Sequence, residues 1–280
     1  MLDIKRKKIS KIIKKHIEKA GNNFKSDYNK KTGVKFNNIE NKYNNVFISG
    51  LGDEVVVYSA LMRSLDSSLG NTIEKMALEI ADAVGYKVSQ GVSGSLSKDT
   101  IQNIAILLEQ YKNKTNPKKV SVEDYEVIKK SALETEGDQK FHNSDYLLEK
   151  EKNGITELSL LELKIGGDLD NKKARSEKEA IFEQYAILVN QHKEKIENGT
   201  AIINTYFATA YNKNSIDAGK ETWTQGSVKT FFADEELLIG KDFWNFICDD
   251  KDGWKVLIEE YNTHSQILKD SIKYIVDSLK

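Results

Sequence analysis

The Asn153-Gly154 pair constrains what this chain can fold into more than any other feature of it. Apolar-rich runs flank the pair, Tyr146–Lys150 before it and Ile155–Ile165 after it. A two-residue hairpin loop of type I′ needs positive φ at both central residues, and Asn followed by Gly meets that need at least cost. With those two residues as the loop, Lys152 faces Ile155, and stepping outward along both strands brings Asp145 opposite Glu162. Directly opposed residues hold their Cβ atoms about 4.5–5.5 Å apart, so two carboxylates would share one small volume. Side chains alternate faces along a strand, so Lys164 points the same way as Glu162.

Facing carboxylates repel, and a sheet keeps such a pair when something offsets the charge. A divalent cation does so, because hard oxygen ligands at close range are what Mg²⁺ requires. A lysine beside that ion can orient and help activate a bound water. The plainer reading is a surface hairpin with solvated charges, since Glu-X-Lys is a common triplet. Turn, register, parity and the apolar run Leu158-Ser159-Leu160-Leu161 together favour the metal site.

Asp145, sixteen intervening residues and then Glu162-Leu163-Lys164 on a hairpin resemble the active site of the PD-(D/E)XK nuclease superfamily. The resemblance implies that Asp145 and Glu162 hold Mg²⁺ with the Leu163 carbonyl as a third ligand, and that Lys164 assists the attacking water. It also implies a restriction-endonuclease-like α/β fold, a mixed sheet with an αβββαβ core between helices. No proline precedes Asp145 in Asn143-Ser144-Asp145, a departure that weakens the motif more than the chemistry. Leu69-Gly70-Asn71-Thr72-Ile73-Glu74-Lys75-Met76-Ala77 resembles the helix that opens many type II restriction endonuclease domains. There the glutamate approaches the metal, which would make Glu74 part of the site; on its residues alone it is equally a salt-bridged surface glutamate. Ala208-Thr209-Ala210-Tyr211-Asn212-Lys213 and Leu237-Leu238-Ile239-Gly240-Lys241-Asp242-Phe243-Trp244 are similar to the TdeIII-like group, which implies a short GC-rich palindromic target.

Composition sets the outer limits. Apolar residues at 39% and aromatics at 9% suffice for a buried core, and 280 residues fit one nuclease domain with helical extensions at both ends. The net charge of −1 means that any surface for DNA must come from local clustering of the 42 Lys and Arg residues. The single cysteine, Cys248, excludes an internal disulfide framework and a cysteine zinc site, and its apolar setting suits a buried small hydrophobe. No uninterrupted apolar run is long enough to span a membrane, and the Lys-rich start lacks the apolar stretch of a signal peptide, so a bacterial cytoplasmic protein is expected.

Along the chain, Ile4, Ile9, Ile12, Ile13 and Ile17 mark an amphipathic helix over residues 3–20 with a lysine-rich outer face, stopped by Gly21-Asn22-Asn23. Phe24–Asn45 reads as loops with short pieces of structure. Val46–Arg63 suits strand or helix, with helix favoured. Ser67 or Ser68 then caps a helix with Leu69, Ile73, Met76, Ala77, Ile80, Ala81 and Val84 inward, closed by Gly85. Gly85–Ser97 reads as a loop, and further helices are predicted at Lys98–Asn113, Val122–Leu133 and Asn171–Gln191.

Lys172, Lys173, Arg175 and Lys178 crowd the start of that last helix, where cations oppose the macrodipole unless an anion binds, so DNA phosphate contact is expected there. Gly199–Tyr211 holds a buried strand, and two C-terminal helices follow from Trp254 and Thr263. The aromatics Phe243, Trp244, Phe246 and Trp254 read as core, because duplex DNA exposes few bases for stacking. Gly85–Ser97 and Asn212–Gly226 are the polar stretches suited to base reading.

The reading is a Mg²⁺-dependent type II restriction endonuclease acting on double-stranded DNA, as a homodimer on a palindromic site. The competing readings are a nonspecific or repair nuclease of the same superfamily and a non-catalytic DNA-binding protein.

Overall fold

The computed structural model describes residues 1–29, 32–134, 138–142, 146–166 and 169–279. The helices and strands, in chain order, are α1 (Asp3–Asp27), α2 (Asn37–Tyr43), α3 (Val46–Ser49), α4 (Asp53–Ala83), β1 (Lys87–Ser89), β2 (Val92–Leu96), α5 (Lys98–Tyr111), α6 (Asp124–Glu134), β3 (Asp138–His142), β4 (Tyr146–Lys152), β5 (Ile155–Lys164), α7 (Asn171–Gln191), α8 (Lys193–Glu197), β6 (Ala201–Thr209), α9 (Gly226–Lys229), β7 (Leu237–Ile239), α10 (Lys241–Ile247), α11 (Gly253–His264) and α12 (Gln266–Leu279). Contacts divide them into a helical unit, residues 1–80 with 252–280, and a sheet unit, residues 81–251.

The sheet unit is built on a five-stranded mixed sheet in the order β1-β4-β5-β6-β7. β1, β4 and β5 run antiparallel to their neighbours, and β5, β6 and β7 run parallel. The β4–β5 turn is the one the sequence dictates: Asn153 has φ 53° and Gly154 φ 79°. The pairs run from Lys152 with Ile155 to Tyr146 with Leu161. β5 is central and buried on both faces, which its near-continuous apolar run requires.

A crossover from β5 through α7 to parallel β6 places α7 against one face. Leu160, Phe207, Ile181 and Phe182 share the core there, together with Leu107 and Leu108 of α5 and Ile128 of α6. On the other face Tyr146 meets Phe243 of α10 with ring centroids 6.3 Å apart. The indole of Trp244 donates to the Ala210 carbonyl at 2.8 Å. Phe243, Trp244, Trp254 and Cys248 are all buried, as a core role requires.

In the helical unit α1 packs against α11 and α12. Ile9, Ile12, Ile13 and Ile17 are buried as the periodicity predicts, whereas Ile4 is exposed. Several sequence expectations give way here. α1 does not stop at Gly21-Asn22-Asn23 but runs on to Asp27. A Cβ on Gly21 would come within 3.0 Å of Ile267 Cγ2, so this glycine lets α12 approach and breaks nothing.

Neither Ser67 nor Ser68 caps a helix. α4 is continuous from Asp53, and the Ser68 carbonyl accepts from the Thr72 hydroxyl at 2.7 Å inside it. The buried residues Val56, Leu61, Met76, Ala77 and Ile80 hold it helical across the serines. Gly85, with φ 101°, ends it as expected. The expected loop Gly85–Ser97 contains β1 and β2, and β2 pairs with β3 in a second, two-stranded sheet. A Cβ on Gly94 would stand 2.5 Å from Ile187 Cγ2, so the small residues there allow β2 to lie against α7.

No helix among the described residues is long and apolar enough to cross a membrane.

Candidate active site

Glu162 and Lys164 stand at the C-terminal end of β5, opposite Phe207 and Thr209 of β6. The sheet's alternation sends both side chains to the α7 face. Glu162 is buried, and its Oε1 accepts from Lys164 Nζ at 2.7 Å. From α7, the Glu177 carboxylate reaches the same ammonium at 3.1 Å. Burial works against the charge on Lys164, but Glu162 and Glu177 outweigh it and hold its pKa above that of an ordinary lysine. Lys164 is therefore a cation gripped by two carboxylates. Glu177 is not among the site residues that the sequence singles out. The signal that would have found it is the crossover itself, which returns the first turns of α7 over the end of β5.

Leu163, between them, directs its side chain to the opposite face, where it is buried. The Lys164 carbonyl accepts from the Ala210 N–H at 3.3 Å, and the Thr156 N–H donates to the Thr200 carbonyl at 2.9 Å. Even-numbered residues of β5 thus turn their backbone groups to β6, and alternation turns the Leu163 carbonyl towards β4. Asp145, the residue before β4, lies outside the described residues. Glu74 lies on α4, in the helical unit, and is partly buried.

The four cations at the start of α7 separate by environment. Lys172 and Lys173 are exposed. Arg175 is held by Glu109 at 3.1 Å and Glu179 at 3.4 Å. Lys178 departs from expectation: it is fully buried and bound to Glu236, with the Tyr125 hydroxyl at 3.1 Å. Desolvation lowers its pKa despite the Glu236 carboxylate. It also lies over the rings of Tyr125, Phe182 and Phe232, so it is a core residue with no access to a phosphate. The helix start is already capped, because Asp170 Oδ1 accepts from the Lys173 N–H at 2.8 Å.

Among the described residues no three His, Cys, Asp or Glu side chains converge as a metal cluster. The donors that are present, the Glu162 carboxylate and the Leu163 carbonyl, are hard oxygens of the kind Mg²⁺ takes.

A mixed sheet between helices, with Glu162 and Lys164 leaving the second strand of its central hairpin, is consistent with a fold of the restriction-endonuclease-like class. Residues 5–265 match the family model described as HinfI, type II restriction endonuclease. The chain belongs to that family and is a site-specific deoxyribonuclease acting on double-stranded DNA. The match gives no support to the TdeIII-like subgroup or to its GC-rich target. No curated protein and no solved structure compared with the chain matches it.

Proposed function

We propose that this endonuclease cuts a short palindromic site as a homodimer, each copy using Asp145, Glu162, the Leu163 carbonyl and Lys164 around Mg²⁺. The observation that carries this reading is the contact between Lys164 Nζ and Glu162 Oε1, on a hairpin with the expected register. Asp145 enters through its place in the motif alone. Type II restriction endonucleases generally use Mg²⁺, and the ion, when bound, would offset charge on the phosphate and lower the pKa of a water. Glu162 and the Leu163 carbonyl would hold it with Asp145. Lys164 donates hydrogen bonds to the attacking water and to a non-bridging phosphate oxygen, and so fixes the line of approach. Glu177 keeps the ammonium in place when Glu162 turns to the ion. For Glu74 the resemblance alone speaks, and the cleavage rate of Glu74→Ala will decide its part.

Digestion of phage DNA by the purified protein tests the reading. Discrete fragments with Mg²⁺ and intact DNA with excess chelator are expected. A smear would indicate a nonspecific nuclease, and a mobility shift without cutting a binder. Fragment ends with two-fold related overhangs are the expected mark of a palindromic site.

Glu177→Gln should slow single-turnover cleavage about 10-fold, the value of one positioned charge contact, and leave KM unchanged. Glu177→Asp should restore part of that loss. A rise in the Mg²⁺ concentration required would instead make Glu177 a metal ligand.

Lys172, Lys173 and Arg175 are proposed to meet DNA phosphates. Replacing Lys172 and Lys173 by Ala should then reduce the slope of log K against log salt by about 2. An unchanged slope would remove both from the interface.

A further inference from the structure

Over its 25 residues α1 carries nine Lys and Arg against three Asp and Glu. Charge is divided unevenly between the two units. The helical unit holds 19 Lys and Arg against 14 Asp and Glu, and the sheet unit 23 against 29. A near-neutral chain thus contains one basic unit, and α1 is the element that makes it basic.

Ile9, Ile12, Ile13 and Ile17 commit one side of α1 to the core of its unit. Lys8, Lys11, Lys15 and Lys19 lie on the outer side, spaced three, four and four residues apart, and all four are exposed. That spacing stacks them in one row about 16 Å long. Like charges so placed repel and weaken a helix. Neighbouring Lys14 is offset by Glu18 at 3.8 Å, and Lys15 by Glu79 at 2.8 Å. Lys8, Lys11 and Lys19 form no ion pair among the described residues.

The row ends at a hollow of about 210 Å³ within the helical unit, lined by Lys19 and Asn23 of α1 and by Asn71 and Lys75 of α4. The carboxylate in that lining, Asp27, is held by Lys35 at 2.8 Å, and His16 is held by Glu79 at 2.8 Å. Lys19, Lys75 and the two amides are the donors left for a ligand. Such a set suits the oxygens of a phosphate.

We propose that the outer face of α1 is a further contact surface for the DNA substrate. Lys8, Lys11, Lys15 and Lys19 follow phosphates of the duplex backbone, and the hollow beside Lys19 seats one of them. Two observations choose DNA. It is the polyanion on which this family acts, and counterion release rewards a row of lysines laid against it. An anionic membrane would take the apolar side of α1 as well, and that side is buried. The surface adds affinity without base discrimination, since phosphates carry no sequence. The proposal rests on duplex DNA as the substrate and on none of the groups placed around Mg²⁺.

Binding of the full chain to duplex DNA without Mg²⁺, followed by fluorescence anisotropy over a series of salt concentrations, is the test. The Lys8→Ala/Lys11→Ala/Lys19→Ala variant is expected to lower the slope of log K against log salt by about 3, equally on duplexes of unrelated sequence. Alanine is the better helix former, so α1 should persist, which circular dichroism checks. Lys75→Ala alone should lower the slope by about 1. Lys255→Ala/Lys269→Ala/Lys273→Ala removes the same charge from exposed positions of α11 and α12 and should leave it unchanged.

An unchanged slope in the α1 variant overturns the proposal, as does an equal fall in the control, which would make the effect one of bulk charge. No change in Lys75→Ala overturns the phosphate seat. An α1 variant that keeps its DNA slope and loses binding to phosphatidylserine vesicles would make this a lipid surface, which also overturns it. Failure of the active-site reading looks different: neither wild type nor variant cuts, yet their slopes still differ by about 3.

Discussion

Glu162→Ala and Lys164→Ala are each expected to lower the cleavage rate by about 10³-fold or more, the usual loss when a group that stabilises transition-state charge is removed. DNA affinity measured without Mg²⁺ should change by only a few fold, because neither group is needed to recognise the duplex. The geometry supports the separation. Lys164 lies 2.7 Å from Glu162 and 3.1 Å from Glu177, with each side chain committed to a local charge network. Full activity in either variant would refute the assignment. Loss of activity together with loss of fold would leave it open, so each variant is to be compared with the wild type by circular dichroism.

The second large effect concerns stability. Glu236 accepts from Lys178 and, at 2.6 Å, from the Tyr125 hydroxyl through one oxygen, and from the Ala233 N–H at 2.9 Å through the other. Tyr125 in turn accepts from the Thr205 hydroxyl at 2.7 Å. All four groups are buried, and burial together with the Glu236 charge pushes the Tyr125 pKa well up. Glu236→Ala leaves the Lys178 ammonium in the core without its counter-charge. A broken buried pair costs about 3–5 kcal/mol, visible as a lower urea midpoint with an unchanged slope. The Lys178→Met/Glu236→Leu double variant should recover a good part of that loss, since apolar replacement of a buried pair is often nearly neutral. A single variant within about 1 kcal/mol of wild type would show that the pair is not coupled to folding.

These two sites differ in how far the chain discloses them. The hairpin was legible because its cause is local: Asn153-Gly154 fixes the turn, the turn fixes the register, and parity then places Glu162 and Lys164 on one face. The bounds of α7 were legible for the same reason, with Asp170 available as a cap at its start. Lys178 was not legible. Its partner Glu236 is remote in sequence, on a turn that joins α7 only after the crossover is made, so a lysine in a basic run looked like a surface cation. The serines before Leu69 misled in the opposite way, because a local capping preference is weaker than the buried face that Val56, Leu61 and Met76 continue through them. Among Gly85–Ser97, small residues read as a loop form strand β2 because α7 passes too close for larger ones. Glu177 reached its place through tertiary structure alone.

The helical unit is discontinuous in sequence, taking α1 from before the sheet unit and α11 and α12 from after it. Translation, at roughly 5–20 residues per second, therefore finishes residues 81–251 before the partners that complete the packing of α1 exist. Residues 81–251 can therefore fold as a unit while the helical unit still waits for its last two helices.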